Sequence, residues 1–173
     1  MLKKINLRST LISGLIAAIL FCILVFFHIR SANYKNSWLL YFGSFLFMIV
    51  IWIHTMQDSK KRRNNESTVA LVFASHMATL AGIIISCGIC LLMLIILVPG
   101  YLDQGTAGKI LTQAPANTVY DKTHGLSLQI FLSATLINFS VGSFCGIVLP
   151  FYLKRNQTRD LKEPTPLHQH GIQ

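Results

Sequence analysis

Two cysteines three residues apart form the pattern in this chain that most clearly suggests chemical reactivity. Cys87 and Cys90 make a C-x-x-C pair, and residues three apart lie on one face of a helix. Thiols at this spacing are typical of disulfide redox chemistry. The pair lies within a long apolar run, however, and apolar burial disfavours the reactive thiolate. We therefore expect both cysteines to be reduced packing residues, and we keep thiol redox chemistry as an alternative.

Two further side chains could take part in chemistry inside the apolar runs. His76 has Ser75 and Thr79 as neighbours, and a histidine in that setting could transfer protons. Counting back from Pro99 places His76 near the headgroup region, where it would be an ordinary interfacial residue. Asn138, together with Thr135 and Ser140, could offer hydrogen bonds to a ligand headgroup, and hydrogen bonding between helices explains these residues as well or better.

Nothing else in the sequence carries a catalytic signature. The chain has no phosphate-binding loop, nucleophile elbow or metal-ligand cluster. We therefore expect no metal, no cofactor and no catalytic residue. A non-enzymatic role is the first interpretation.

The elements that position these residues are four long apolar runs. No Lys, Arg, Asp or Glu occurs in 9–27, 36–57, 67–102 or 125–153. About 20 apolar residues in a helix suffice to cross a bilayer. Charged residues make up 12% of the chain, against about 25% in soluble domains. The sequence predicts an all-α polytopic membrane protein, a bundle of four transmembrane helices near 9–28, 37–56, 69–98 and 126–153.

Basic residues predict how this bundle is oriented. Cytoplasmic segments of membrane proteins are enriched in Lys and Arg. Eleven of the 15 basic residues lie before the first run, between runs two and three, or after run four. Both termini are therefore predicted to be cytoplasmic. This distribution also accounts for most of the net charge of +9, so nucleic acid is not an expected partner.

The chain is predicted to form one membrane domain with a polar tail. Residues 1–155 contain all four runs, and residues 156–173 are polar and contain two prolines, a composition typical of disorder. The loop 103–124 is expected to be irregular. It is read as a linker, with a lid or a partner-binding loop as the alternative.

Small residues four apart predict which helix faces touch, because transmembrane helices associate through close backbone approach. The third run has such a series at 74, 78, 82, 86 and 90, and the first has another at 10, 14, 18 and 22. We expect helices three and four to form the tightest pair and helix two to be peripheral. The predicted packing residues are Ala78, Gly82, Ser86, Gly142 and Gly146.

In layout the chain resembles small bacterial four-helix inner-membrane proteins of unknown function. The shared features are a basic N-terminus, a short basic loop after helix two and a longer loop before helix four. This resemblance implies a multi-pass protein of a bacterial inner (plasma) membrane, and it implies no functional residue. The leading interpretation is an accessory or scaffold protein that acts through helix contacts, in a homo-oligomer or with a membrane-protein partner. The alternatives are a small oligomeric transporter or channel and, third, a membrane thiol oxidoreductase.

Overall fold

A computed structural model describes residues 7–61, 68–105, 107–115 and 121–160. Within those residues the chain is helical, without a named strand. The predicted all-α fold is confirmed, as are four helices long and apolar enough to cross a membrane. These cover Leu7–Ser31, Tyr34–Lys60, Thr68–Leu97 and Leu126–Leu153.

The fourth of these helices is not a regular α-helix throughout. It begins after Gly125, whose left-handed φ of 89° turns the chain into the helix, and it contains a π-helical turn at Ser133–Ile137. It then continues to Asp160, so the first residues of the predicted tail are helical, while 161–173 lie outside the described residues. The elements are α1 (Leu7–Ser31), a 3-10 turn (Tyr34–Ser37), α2 (Trp38–Lys61), α3 (Thr68–Leu97), α4 (Leu126–Leu132) and α5 (Asn138–Asp160).

The helices form a ring in which α1 and α5 lie diagonally opposite. Helix α1 packs against α2 and α3, and α5 packs against the same two helices. Side chains that face the interior of α1 and α3 are mostly small, whereas the outward ones are large and apolar. This distribution suits a bilayer, where close backbone approach rather than burial of large side chains holds helices together.

The closest backbone approach joins α1 to α3. A Cβ built on Gly14 would lie 2.8 Å from the carbonyl oxygen of Ala78 and 2.9 Å from the amide nitrogen of Gly82. The small-residue series of the first and third helices therefore face each other at this crossing. Helix α3 also contacts α5, but at Thr79 and Ser75 rather than at Gly82.

The geometry of an α-helix explains why Gly82 faces away from α5. A helix has about 3.6 residues per turn, so each step of four residues overshoots a full turn by about 40°. A series at this spacing therefore winds around α3 instead of marking one straight face. Its middle portion turns toward α1 and α2.

The prediction that the second helix lies at the periphery is wrong. Leu40, Phe47 and Ile51 of α2 are fully buried. The Phe47 ring fills the space that Gly82 leaves, since a Cβ at Gly82 would lie 2.8 Å from two ring carbons. A large side chain opposite a glycine thus gives α2 its contact with α3.

The loop between α3 and α4 is folded against the connection from α1 to α2. Thr112 donates its backbone N–H to the carbonyl of Ala32 and accepts from the N–H of Tyr34. Leu111 and Ala107 are buried in the core. We call this end of the molecule the capped end, and the opposite end, with Arg8 and Lys60, the basic end.

Candidate functional site

Polar side chains from three helices meet in the half of the bundle nearer the basic end. Ser13 Oγ and His54 Nδ1 are 2.9 Å apart and share a hydrogen bond between α1 and α2. The hydroxyls of Thr55 and Ser75 share another, between α2 and α3. All but Ser13 are buried. These bonds satisfy polar groups where water is excluded, and they also hold the three helices in register.

His76 lies beside this set, half-buried between α3 and α5. Its Nδ1 is 2.8 Å from the backbone carbonyl oxygen of Val72, one turn earlier on the same helix. A carbonyl can only accept, so Nδ1 is the donor in this hydrogen bond. The ring packs against Gly146, where a Cβ would lie 3.0 Å from Cε1 and Nδ1. The predicted packing residue Gly146 therefore makes room for the predicted chemical residue His76.

Asn138 is completely buried directly after the π-helical turn. Among the described residues, neither its amide nitrogen nor its amide oxygen has a hydrogen-bond partner. Thr135 and Ser140 do not join it, because both are exposed and donate to carbonyls of their own helix. The structure thus leaves the amide of Asn138 without hydrogen-bond compensation at the centre of the bundle.

Three buried hydroxyls are also without a described partner, those of Ser44 on α2, Ser86 on α3 and Ser143 on α5. The contacts of Phe47 with Gly82, and of Thr55 with Ser75, set the register of these helices. In that register Ser44 and Ser86 lie at the same depth. The predicted packing residue Ser86 is fully buried, as is Ala78.

The cysteines are arranged differently from the sequence pattern. All four are free thiols, and Cys87 is only half-buried whereas Cys90 is fully buried. Cys90 lies near Cys22, and both are buried in the core where α1 contacts α3. Cys22 Sγ also lies 3.9 Å from the backbone carbonyl oxygen of Ser86. The structure therefore brings Cys90 to Cys22 as well as to its C-x-x-C neighbour.

Sequence reasoning missed two buried histidines, His28 and His54. His28 is fully buried near the capped end, and neither of its ring nitrogens has a hydrogen-bond partner among the described residues. The Gln129 side chain lies nearby. Gln129 in turn donates from Nε2 to Ser37 Oγ over 2.7 Å. His28 and His54 each follow a core residue, Val25 and Ile51, by three positions. Residues at this spacing share a helix face, so the sequence pattern could have predicted that both histidines are buried.

A carboxylate organises the entrance to α4 at the capped end. Asp121 Oδ1 accepts hydrogen bonds from the backbone N–H groups of Thr123 and Gly125, each over 2.9 Å, and Oδ2 accepts one from Ser127 Oγ. Burial alone would raise the pKa of Asp121, but these hydrogen bonds outweigh it and lower the pKa. Negative charge at a helix N-terminus is also favourable. Asp121 is thus a structural cap.

Lys109 ties the same loop to α1. Its Nζ donates to the backbone carbonyl oxygen of Arg30 over 2.9 Å. Burial, and next the nearby charge of Arg30, lower the pKa of Lys109. The bond links the loop to the end of α1 without placing an ionised group inside the bundle.

No group of three or more His, Cys, Asp or Glu converges as metal ligands among the residues described. The interior instead offers hydroxyls, imidazoles, an amide and thiols in separate small sets. Such sets can link helices or hold small polar molecules. No protein-family model, curated protein or solved structure matches this chain.

Proposed function

We propose that this chain is a multi-pass protein of the bacterial inner membrane with both termini in the cytoplasm. Four helices of sufficient length and apolarity support the membrane placement. The basic end supports the orientation, because Lys and Arg concentrate on the cytoplasmic side. The lipid bilayer is then the first partner of its exposed surface, which is rich in large apolar side chains.

Cysteine labelling in intact cells tests this orientation. The four native cysteines lie inside the spanning helices, so single substitutions at two exposed or half-exposed lysines can report on the two ends. A membrane-impermeant maleimide should label Lys109→Cys from outside and should label Lys60→Cys only after lysis. Labelling of Lys60→Cys in intact cells would contradict the proposed orientation.

We further propose a non-enzymatic accessory or scaffold role, carried out through helix contacts with a second copy or with a membrane-protein partner. The observation that supports it is Gly88. This glycine lies on the outward face of α3, and apart from its chain neighbours and its own helix backbone no atom lies within 4 Å of where its Cβ would be. Ile84 and Leu92, one turn to either side, are 71% and 58% exposed. A glycine between large outward side chains allows another helix backbone to approach.

Cross-linking in native membranes tests this role. The wild-type chain should form a defined cross-linked species, and Gly88→Ile should reduce it strongly because the added side chain blocks backbone approach. Ser140→Ile, on the outward face of α5, is the matched control and should leave the yield unchanged. Equal yields for both variants, or no cross-linked species with wild type, would contradict the scaffold role.

A transporter or channel for a small solute is the second candidate, favoured by the uncompensated amide of Asn138. Polar groups within a spanning bundle mark solute pathways in many membrane proteins. Purified protein in sealed vesicles should then pass a small polar solute faster than empty vesicles do. Asn138→Leu should abolish that flux, and an Asn138→Leu variant with unchanged flux would reject this candidate.

A further inference from the structure

An apolar groove of about 410 Å³ runs along the outer side of the α1–α3 contact. It begins at the basic end with Leu7 and Leu11 of α1 and continues along α3 to Ile85. Apart from Thr10, every side chain that lines it is apolar. Leu11 and Leu80 are 49% and 42% exposed, so the groove opens to the surroundings of the bundle and is not an enclosed cavity.

The length of the groove fits one membrane leaflet. Its α3 side extends from Phe73 to Ile85, which corresponds to about 18 Å at helical rise. One leaflet contributes half of a hydrocarbon core about 30 Å thick. An extended hydrocarbon chain that begins at the basic end would therefore be enclosed along much of its length.

The charge at the mouth of the groove selects the headgroup. Arg8 is exposed and lies three residues before Leu11 on the same side of α1, so it flanks the mouth. Lys60 is exposed at the same end of the bundle. A guanidinium pairs with phosphate through two parallel hydrogen bonds, and basic side chains at a membrane surface attract anionic lipid.

We propose that this groove binds an anionic phospholipid, with one acyl chain along α1 and α3 and the phosphate on Arg8. The inference rests on the proposed membrane placement and not on the scaffold role. The ligand is a lipid and not free phosphate, because the apolar groove contributes most of the contact area. The site would lie in the cytoplasmic leaflet.

A second groove provides an internal control. It has a volume of about 300 Å³ and lies farther along the same helix pair, lined by residues such as Ile19, Ile23 and Met93. Arg30 lies three residues after Phe27 and flanks that groove, and Lys109 donates to its backbone carbonyl. Basic charge therefore lies beside both grooves, and they differ in the larger volume of the first, which encloses more of an acyl chain. We expect the larger groove to account for the selective binding.

Native mass spectrometry of detergent-purified protein tests the proposal. The probe is an equimolar mixture of phosphatidylglycerol and phosphatidylcholine with identical acyl chains. The wild-type protein should retain one molecule of phosphatidylglycerol in preference to phosphatidylcholine. Arg8→Gln should retain it about fivefold less, the factor expected for one basic side chain at an anionic surface. Leu80→Trp should lose it by filling the groove.

Two matched variants make the result specific. Arg30→Gln removes the charge beside the smaller groove, and Leu91→Trp adds the same bulk on an exposed part of α3 that lines neither groove. Both should retain the lipid as wild type does. Equal retention of the two lipids by wild type, or equal loss in Arg8→Gln and Arg30→Gln, would overturn the proposal.

The remaining outcomes are also decisive. A protein dimer that excludes lipid, and that Leu80→Trp disrupts, would show that a second copy covers the groove and would overturn the lipid assignment. Membrane placement is measured separately by extraction at alkaline pH. A chain that stays in the membrane pellet and yet shows no lipid preference would refute the lipid site alone.

Discussion

Gly14 and Gly82 meet backbone to backbone where α1 crosses α3. A Cβ on Gly82 would lie 3.1 Å from the carbonyl oxygen of Gly14, and a Cβ on Gly14 would lie 2.9 Å from the amide nitrogen of Gly82. Neither position has room for a side chain. The two helices therefore depend on both glycines for their separation.

The first prediction concerns this crossing. Gly14→Ala should lower the stability of the detergent-purified protein by about 1–3 kcal/mol, because the added methyl group overpacks against the backbone of α3. Gly88→Ala is the control on the outward face and should be neutral or slightly stabilising, since Ala favours the helix over Gly. Thermal unfolding of the two variants measures the difference, and equal melting temperatures would contradict the packing described.

The second prediction concerns the contact between α3 and α5. A Cβ on Gly142 would overlap the Thr79 side chain, so Gly142→Ala should destabilise the bundle. Thr79→Ala removes the atoms that clash, and the double variant should recover part of the loss, with a coupling of about 0.5–3 kcal/mol. A double-mutant cycle on thermal stability checks this. Strict additivity would mean that the two residues do not touch.

The third prediction concerns the cap at Asp121. Asp121→Ala should speed hydrogen exchange at the amides of Thr123 and Gly125, which lose their acceptor. Asp103→Ala, at an exposed position of the same loop, should leave these amides protected. Unchanged exchange in Asp121→Ala would show that the carboxylate does not hold the turn.

The pH dependence of this cap follows from the lowered pKa of Asp121. A carboxyl group whose pKa is lower in the folded than in the unfolded state stabilises the fold when it is ionised. The stabilisation should be fully present above the unfolded value of about 3.9, and should be lost as the pH falls through the lower folded pKa. Exchange rates at Gly125 measured across this acidic range check the sign, and protection that increases on acidification would contradict it.

The fourth prediction concerns the thiols. Cys87 and Cys90 should be reduced in the native protein and slow to alkylate, because thiolate formation is disfavoured in apolar surroundings. The double variant Cys87→Ala, Cys90→Ala should stay within about 1 kcal/mol of wild type. Mass spectrometry of protein from native membranes measures the oxidation state. A substantial oxidised fraction would instead support the thiol oxidoreductase. Because Cys22 lies near Cys90, the spectra should be searched for a Cys22–Cys90 disulfide as well as a Cys87–Cys90 disulfide.

The sequence by itself determined the number and type of the elements. Four uncharged runs can satisfy their backbone groups in hydrocarbon only as helices, and that constraint acts within each run separately. The burial of Ala78 and Ser86 could also be predicted from the sequence, because a series of small residues in an apolar helix indicates contact with another helix. None of these inferences required knowledge of which helices are neighbours.

The tertiary structure decided the partners. Gly82 faces Gly14 and Phe47 rather than Asn138 because a four-residue series winds around its helix, so spacing alone does not name the helix it meets. The π-helical turn before Asn138 changes which side chains of α5 face the bundle interior. The hydrogen-bond partner of His54, Ser13, lies on another helix far away in sequence. Helix identity follows from local backbone hydrogen bonds, whereas pairing follows from shape and polar contacts between residues far apart in sequence.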